Sequence, residues 1–319
     1  MAIDLLNLEP QRISRNLKGK FMMFYGLPGV GKTSLAAQFP KSLILGFEQG
    51  TNGLDDVYVQ QIKTWSEWKT AVSQLLRKQE LKEKFDTIVI DTADAAWKLC
   101  IKSICSEYNV SNIGEIPYGK GYTYASEEYE GFFRDLTYSG YGVIFISHST
   151  EKTLKDENGE DYVQINPAIP SRAYDIINKM VDIIGYIRNI EIEPNVYKRY
   201  VFFRGDNRFF AKSRFRYIEP KVELDYQKIV DAIQDACDKE AAAHGASASE
   251  ADNPYTKLNF DELIAQAKSL FIKAEAEGKV EQILKILEEE FGKPTRFSEI
   301  LPEDVDKLHK VLTEITTIL

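Results

Sequence analysis

The chain has 319 residues, 44% of them hydrophobic, which suits a globular protein with one large α/β domain and a smaller second domain. No apolar run approaches the ~20 residues of a membrane span, and the first residues lack the basic and apolar regions of a secretion signal, so we expect an intracellular, cytoplasmic protein without membrane contact. The net charge of −9 argues against a large constitutive nucleic-acid surface, and the three cysteines and three histidines are not spaced as a disulfide framework or a zinc site.

The first predicted element is the segment FMMFYGLPGVGKTSL at residues 21–35, which combines an apolar strand, a glycine-rich loop and the start of a helix. It fits the pattern G-x-x-x-x-G-K-[ST] of the phosphate-binding P-loop, in which Lys32 reaches the β- and γ-phosphates and the Thr33 hydroxyl completes a Mg²⁺ shell. Glycine lets the backbone turn its N–H groups toward phosphate oxygens. The predicted ligands are ATP and Mg²⁺, and the predicted nucleotide-binding residues are Gly26, Pro28, Gly29, Val30, Gly31, Lys32, Thr33 and Ser34.

The segments that follow alternate between buried-type strands and amphipathic helices. Pro40 ends the P-loop helix after about two turns. Consecutive strands joined by helices favour a parallel, doubly wound sheet. The predicted elements are strands at 42–47, 86–91 and 141–148, helices at 65–79, 93–108 and 124–138, and a loop that contains residues 118–122.

After residue 148 the pattern changes. Residues 149–172 are polar and contain Asn158-Gly159, a favoured hairpin turn. Three alternating segments between residues 181 and 215 predict an antiparallel meander that extends the sheet, and a helix is predicted at 225–243. The predicted fold class is α/β: a RecA-like P-loop NTPase with a mostly parallel sheet and an antiparallel extension, plus a small C-terminal α-helical domain.

The segment AAAHGASASEADNP at residues 241–254 consists mostly of small and polar residues and marks the best domain boundary in the chain. We expect a P-loop core at residues 1–240, a linker at 241–256 and a small helical domain at 257–319. Residues 241–319 hold 15 acidic and 9 basic residues, so this last domain is acidic. Its predicted amphipathic helices lie near residues 259–277, 279–291 and 302–317.

Acidic residues follow two of the predicted core strands. Asp91 ends one strand and fits the metal-positioning Walker B role. Thr92 follows it, so the glutamate that many P-loop ATPases carry at that position is missing. Glu48 ends another strand, and because the carboxyl ends of parallel strands meet at one crevice, it can face the γ-phosphate and orient the attacking water. Asp94 is the alternative for this role, and the sequence leaves the choice open.

A histidine ends the last core strand. His148 lies where a polar side chain can sense the γ-phosphate and transmit its state to the following loop. Ser147 is an alternative for the same role.

This layout resembles the RecA-like recombinase ATPases, and most closely the short phage nucleotide-binding proteins associated with single-strand annealing. The resemblance covers about residues 15–240. It is carried by the P-loop, YGKGY at 118–122, IFISH at 144–148 and a late AKxR element at 211–214. It implies that Glu48 is the catalytic carboxylate and His148 the sensor, and it places the protein in a bacterial or phage-infected host.

The resemblance also implies that the chain assembles with copies of itself into a ring or filament. Lys212 and Arg214 would reach the ATP of the neighbouring subunit and join Lys32 in stabilising the transferring phosphoryl group. A cation supplied in this way can raise the rate about 10³-fold or more and makes hydrolysis depend on assembly.

Single-stranded DNA is the partner that the resemblance implies, and it would contact two loops. Lys120, between Tyr118 and Tyr122, lies in the first; Lys152, Lys155 and Arg172 lie in the second. Basic side chains bind phosphates and tyrosines stack on unpaired bases. Acidic residues 151, 156, 157, 160 and 161 share the second loop, so a plain surface hairpin is the competing interpretation.

The leading hypothesis is therefore an oligomeric RecA-like ATPase of DNA recombination or annealing, whose turnover is coupled to single-stranded DNA. The acidic C-terminal domain would dock a single-stranded-DNA-binding protein or a recombination partner. The alternatives are a ring-forming helicase or helicase loader, and a nucleotide-gated switch that binds proteins. A nucleotide kinase is disfavoured because no arginine cluster follows the core strands.

Overall fold

The computed structural model describes residues 12–249 and 260–301, together with positions 304, 307, 308, 311, 312 and 315. The chain divides into two compact units, residues 1–256 and residues 257–319. Among the described residues, no helix combines the length and the apolar character needed to cross a membrane.

The first unit is built on one mixed sheet. Its strands are β1 (Phe21–Gly26), β2 (Ser42–Gly46), β3 (Tyr58–Gln61), β4 (Thr87–Asp91), β5 (Gly142–Lys155), β6 (Asp161–Pro167), β7 (Ile183–Glu193), β8 (Val196–Phe202), β9 (Lys212–Ser213) and β10 (Lys221–Glu223). The sheet order is β10-β8-β7-β1-β5-β4-β2-β3, while β6 pairs with β5 and β9 pairs with β7. The strands from β7 to β3 in this order are parallel to one another.

Helices cover both faces of the sheet. They are α1 (Lys32–Ala36), α2 (Trp65–Arg77), α3 (Gln79–Lys84), α4 (Ala93–Glu107), α5 (Lys120–Thr137), α6 (Ser171–Met180) and α7 (Tyr226–Ala243). One apolar layer joins the sheet to α2, α4, α5 and α6 and contains Trp65, Trp68 and Tyr129. The other joins it to α1 and α7 and contains Leu35 and Ile233. A sheet buried on both faces requires continuous apolar strands, which is why all six residues of β1 are buried. The predicted α/β fold class is confirmed.

Several predicted elements need correction. The predicted antiparallel meander is present, since β7 pairs antiparallel with β8 and β9, and β8 pairs antiparallel with β10. What was not predicted is that β7 also pairs in parallel with β1 and so belongs to the parallel part of the sheet. The short helix α6, which the sequence analysis missed, carries the chain back across the sheet before β7, and this crossover makes the pairing parallel. Strand β3 was also missed. Residues 120–122, predicted as loop, form the first turn of α5.

The second unit contains the helices α8 (Phe260–Glu277) and α9 (Val280–Phe291) and a turn of 3₁₀ helix at Phe297–Glu299. These elements share a small apolar core that includes Leu263, Ile283 and Leu287. The third helix predicted near residues 302–317 falls largely outside the described residues.

Candidate functional site

The glycine-rich loop lies between the end of β1 at Gly26 and the start of α1 at Lys32. Gly26 abuts β7, because a Cβ atom there would lie 2.3 Å from the carbonyl oxygen of Ile187. Within the described part of the chain, the backbone N–H groups of Gly29, Gly31 and Lys32 have no hydrogen-bond acceptor. These donors form the concave set of N–H groups that binds anions such as phosphate.

Lys32 closes the loop on itself. Its Nζ atom donates to the carbonyl oxygens of Gly26 at 3.0 Å and Leu27 at 2.8 Å. Burial lowers the pKa of Lys32, and the negative charges of Asp91, Asp94 and Glu48 oppose that shift. A buried ammonium group whose partners among the described residues are carbonyl oxygens is well suited to exchange them for phosphate oxygens, which carry more negative charge.

The two residues predicted to bind a metal ion, Thr33 and Asp91, come from different elements and meet in the structure. The hydroxyl of Thr33, in α1, donates to Asp91 Oδ2 at the end of β4 over 2.8 Å. Burial raises the pKa of Asp91; the Thr33 hydrogen bond opposes this rise, and the charge of Glu48 adds to it. A hydroxyl and a carboxylate beside a phosphate loop match the donors that Mg²⁺ takes when it also binds a nucleotide. The residues present therefore fit the ion.

Glu48 and His148 meet at the carboxyl ends of the parallel strands. The N–H of Phe47 donates to the carbonyl of Asp91 at 2.6 Å, which ties the chain after β2 to the end of β4. His148 lies on β5 opposite Gly26 of β1. Glu48 Oε2 and His148 Nε2 are 3.2 Å apart, while the buried His148 Nδ1 has no hydrogen-bond partner among the described residues.

The alternatives for these two roles lie in different surroundings. Ser147 is fully buried and donates its hydroxyl to the carbonyl of His148, so its side chain is engaged within the protein. Asp94 is 6% exposed in the first turn of α4, and its Oδ2 lies 3.9 Å from Lys98. The Glu48 side chain is 41% exposed and can reach water. This geometry favours Glu48 as the group that orients water.

Lys212 and Arg214 lie near the amino-terminal end of β7, whereas the phosphate loop of their own chain follows the carboxyl-terminal end of the neighbouring strand β1. Lys212 is on β9, which pairs with the start of β7, and its Nζ donates to the carbonyl of Asn178 at the end of α6. Arg214 pairs with Asp182 at 3.0 Å and donates to the carbonyl of Lys179 at 2.5 Å. A contact with a neighbouring chain would have to replace these intrachain bonds.

Three of the four predicted DNA-binding residues lie beside tyrosine rings. Lys120 Nζ is 5.9 Å from the Tyr118 ring centre, and Arg172 Cζ is 5.2 Å from the Tyr122 ring centre. Lys152 Nζ lies 5.3 Å from the ring of Tyr174, which is in α6. The Tyr118 side chain is 94% exposed. We call these six residues the basic–aromatic surface.

Lys155, the fourth predicted residue, lies at the end of the β5–β6 hairpin. Its Nζ is 3.5 Å from Asp161 Oδ1 and 3.4 Å from the carbonyl oxygen of Gly159. Its role in DNA binding stays a prediction.

The sequence analysis missed Arg199, which reaches the phosphate loop from β8. Its Nη1 atom lies 2.8 Å from the position that a Cβ atom on Gly31 would occupy. No motif includes Arg199, and its strand is separated from β1 by β7, so only the sheet order reveals the proximity.

Comparison with known proteins gives two similarities. The model of a family described as the AAA domain matches residues 18–215, which is more than half of the chain. The chain is also 28% identical over 330 aligned positions to the SPbeta prophage-derived uncharacterized protein YorG of Bacillus subtilis (strain 168), and the alignment covers 100% of this chain and 99% of the relative.

Proposed function

This chain belongs to the AAA domain family of P-loop ATPases, and we propose that it hydrolyses ATP with Mg²⁺ and couples this turnover to single-stranded DNA and to self-assembly. The observation that carries the proposal is the contact of 3.2 Å between Glu48 and His148. It joins the candidate catalytic carboxylate to the residue after which the β5–β6 hairpin leaves the sheet.

The hydrolytic half of the proposal assigns a task to each side chain at the crevice. The loop N–H groups and Lys32 bind the phosphates, and Glu48 orients water and accepts its proton as it attacks the γ-phosphorus. Thr33 and Asp91 would hold Mg²⁺, which neutralises charge on the phosphates when bound. Attack breaks the bond between the γ-phosphorus and the bridging oxygen, so ADP and phosphate are the products.

A continuous path of bonds connects this crevice to the basic–aromatic surface. The carbonyl of His148 accepts a hydrogen bond from the N–H of Ala168 at 2.8 Å, at the base of the hairpin. Helix α6, which carries Arg172 and Tyr174, begins at Ser171. A movement of His148 that follows γ-phosphate loss would therefore act directly on the segment that leads into α6.

The chemistry of that surface fits an unpaired nucleic-acid strand. Lys120, Lys152 and Arg172 supply positive charge for phosphates, and the exposed rings of Tyr118 and Tyr122 are available to stack on unpaired bases. We propose a RecA-like role in DNA recombination or single-strand annealing. Similarity to a prophage-derived protein of Bacillus subtilis supports a phage setting.

Self-assembly into a ring or filament is the part of the proposal that gives Lys212 and Arg214 their role. The β7–β8 hairpin extends past the end of β1 and exposes apolar side chains at its tip, namely Ile192, Val196 and Tyr197. Exposed apolar groups of this kind are typical of interaction surfaces. For the acidic second unit we propose docking of a single-stranded-DNA-binding protein or a recombination partner.

Nucleotide-dependent DNA binding tests this function. Fluorescence anisotropy of a labelled single strand would be measured with the protein and a slowly hydrolysed ATP analogue, with ADP, and without nucleotide, with Lys32→Ala as the control. We expect the wild type to bind the DNA strand tightly only with the ATP analogue. The affinity of Lys32→Ala for DNA should be the same in all three nucleotide states. Binding that is the same in all three states would contradict the proposed coupling.

A further inference from the structure

The side chain of Arg199 lies beside the phosphate loop, although Arg199 belongs to none of the sequence motifs described above. Arg199 Nη1 approaches the Cβ position of Gly31 to 2.8 Å, so the guanidinium rests against the loop backbone. Side chains alternate along a strand, so Arg199 shares a face of β8 with the buried Val201. Val201 packs in the same apolar layer as Leu35 of α1, the helix that follows the loop. The fold therefore fixes the strand that presents Arg199 to the loop.

The charge of Arg199 is not neutralised within the described part of the chain, where no hydrogen bond or ion pair engages its exposed guanidinium. Glu223, on the neighbouring strand β10, is already taken by Lys198 at 3.6 Å and Lys228 at 2.7 Å. Arg204, by contrast, donates to the carbonyls of three residues of its own chain. An unpaired guanidinium beside unbonded N–H groups is a fitting partner for a phosphate, which it can bind through two parallel hydrogen bonds.

The sheet order assigns Arg199 to one end of the nucleotide. Strands β5, β4 and β2 lie on one side of β1 and carry His148, Asp91 and, just beyond β2, Glu48. Hydrolysis at Glu48 places the γ-phosphate on that side. Strands β7 and β8 lie on the other side of β1 and bring Arg199 to the loop from there. Arg199 therefore faces the end of the triphosphate that is joined to the nucleoside.

We propose that Arg199 binds the phosphates next to the nucleoside, in the nucleotide that is held by its own chain. This inference rests on the ATP site proposed above. These phosphates are common to ATP and ADP. Arg199 is then a binding residue that holds substrate and product alike, distinct from the proposed role of Lys212 and Arg214 across a subunit interface. Binding that is equal in the ground state and the transition state changes affinity and leaves kcat unaltered.

The test measures the affinities of fluorescent ATP and ADP analogues for the full chain in the presence of Mg²⁺, together with kcat at saturating ATP. The variants are Arg199→Ala, Arg199→Lys and, as the matched control, Lys198→Ala. Lys198 is the neighbouring residue of the same strand, on the opposite face, and its charge pairs with Glu223. Thermal unfolding without nucleotide checks that Arg199→Ala folds, as expected for an exposed side chain that makes no hydrogen bond or ion pair with the described residues.

We expect Arg199→Ala to weaken both ATP and ADP on the order of tenfold or more at unchanged kcat. Arg199→Lys should fall between it and the wild type, because lysine keeps the charge and loses the paired geometry, and Lys198→Ala should bind as the wild type does. Unchanged affinities in Arg199→Ala would overturn the inference. So would a loss confined to ATP together with a fall in kcat, since this would place the arginine at the γ-phosphate. A wild-type chain that binds neither nucleotide would instead refute the proposed ATPase itself.

Discussion

Glu48 Oε2 and His148 Nε2 lie 3.2 Å apart although the two residues are separated by 100 positions in the sequence. They come from strands that are not neighbours, since β4 lies between β2 and β5. The contact joins Glu48, the residue proposed to orient water, with the residue from which the β5–β6 hairpin departs. In the function we propose, hydrolysis and DNA binding would influence each other through this pair of side chains.

The first prediction concerns the choice between Glu48 and Asp94. Glu48→Gln removes the proton acceptor and should lower kcat by about 10²–10⁴-fold while ATP binding is kept. Asp94→Asn, the matched carboxylate-to-amide change, should have a much smaller effect because Asp94 is buried in the first turn of α4. Single-turnover hydrolysis by both variants distinguishes the two residues. A larger fall in rate for Asp94→Asn than for Glu48→Gln would assign the role to Asp94.

A second prediction addresses coupling through the histidine. His148→Ala should keep ATP binding and lose the stimulation of turnover by single-stranded DNA, because the side chain that connects Glu48 to the β5–β6 hairpin is removed. The matched control is His244→Ala, which removes a histidine that lies 3.4 Å from Glu240 on α7. Turnover would be measured with and without DNA for both. Full DNA stimulation in His148→Ala would show that the signal takes another route.

The third prediction concerns Asp91 and pH. Burial raises the pKa of Asp91 above its ordinary value of 3.8, so the folded chain holds this proton more tightly than the unfolded chain. The ionised carboxylate therefore costs stability as pH rises from the unfolded pKa through the raised folded pKa, and the cost is constant above it. Without nucleotide, Asp91→Asn should have a higher Tm than the wild type at neutral pH, and this difference should vanish in acid.

Thermal unfolding across pH measures this effect, and added ligand supplies the control. Mg²⁺ and ATP should raise the Tm of the wild type by more than that of Asp91→Asn, because the neutral amide holds Mg²⁺ less well than a carboxylate does. A ligand-free Asp91→Asn chain that is less stable than the wild type at neutral pH would contradict the desolvation argument.

The fourth prediction tests the basic–aromatic surface by salt dependence. Lys120→Ala and Arg172→Ala should each weaken single-stranded DNA binding and reduce the slope of log affinity against log salt by about 0.7 per lost phosphate contact. Lys239→Ala is the control, since Lys239 pairs with Asp235 on α7, which packs on the other face of the sheet. If the salt-dependence slope were the same in all three variants, the basic–aromatic surface would not be the DNA-binding site.

The fifth prediction concerns Arg214 and assembly. Chains that carry Arg214→Ala keep their own Glu48, and chains that carry Glu48→Gln keep their own Arg214. If Arg214 acts across a subunit interface, an equal mixture of two inactive variants should recover part of the turnover. Because Arg214 also pairs with Asp182, unfolding curves must first show that Arg214→Ala folds. A mixture no more active than its components would place Arg214 in a structural role.

The sequence was sufficient to predict that the residues at the ends of the parallel strands lie close together. Asp91, Glu48 and His148 were predicted to share one crevice because parallel strands open at a common edge, and Thr33 came with the loop motif. The parallel pairing of β7 was not predicted, since alternation along a strand is the same in either direction and the crossover helix α6 is only ten residues long. Arg199 could not be predicted, because its distance from Gly31 depends on sheet order.

The most direct test of the central claim is steady-state ATP hydrolysis, measured with and without single-stranded DNA over a range of protein concentrations. The account predicts strong stimulation by DNA and a specific activity that rises steeply with protein concentration, as expected when neighbouring chains complete the site. A low rate that changes with neither DNA nor concentration would contradict it, and would favour a nucleotide-gated switch that acts on protein partners.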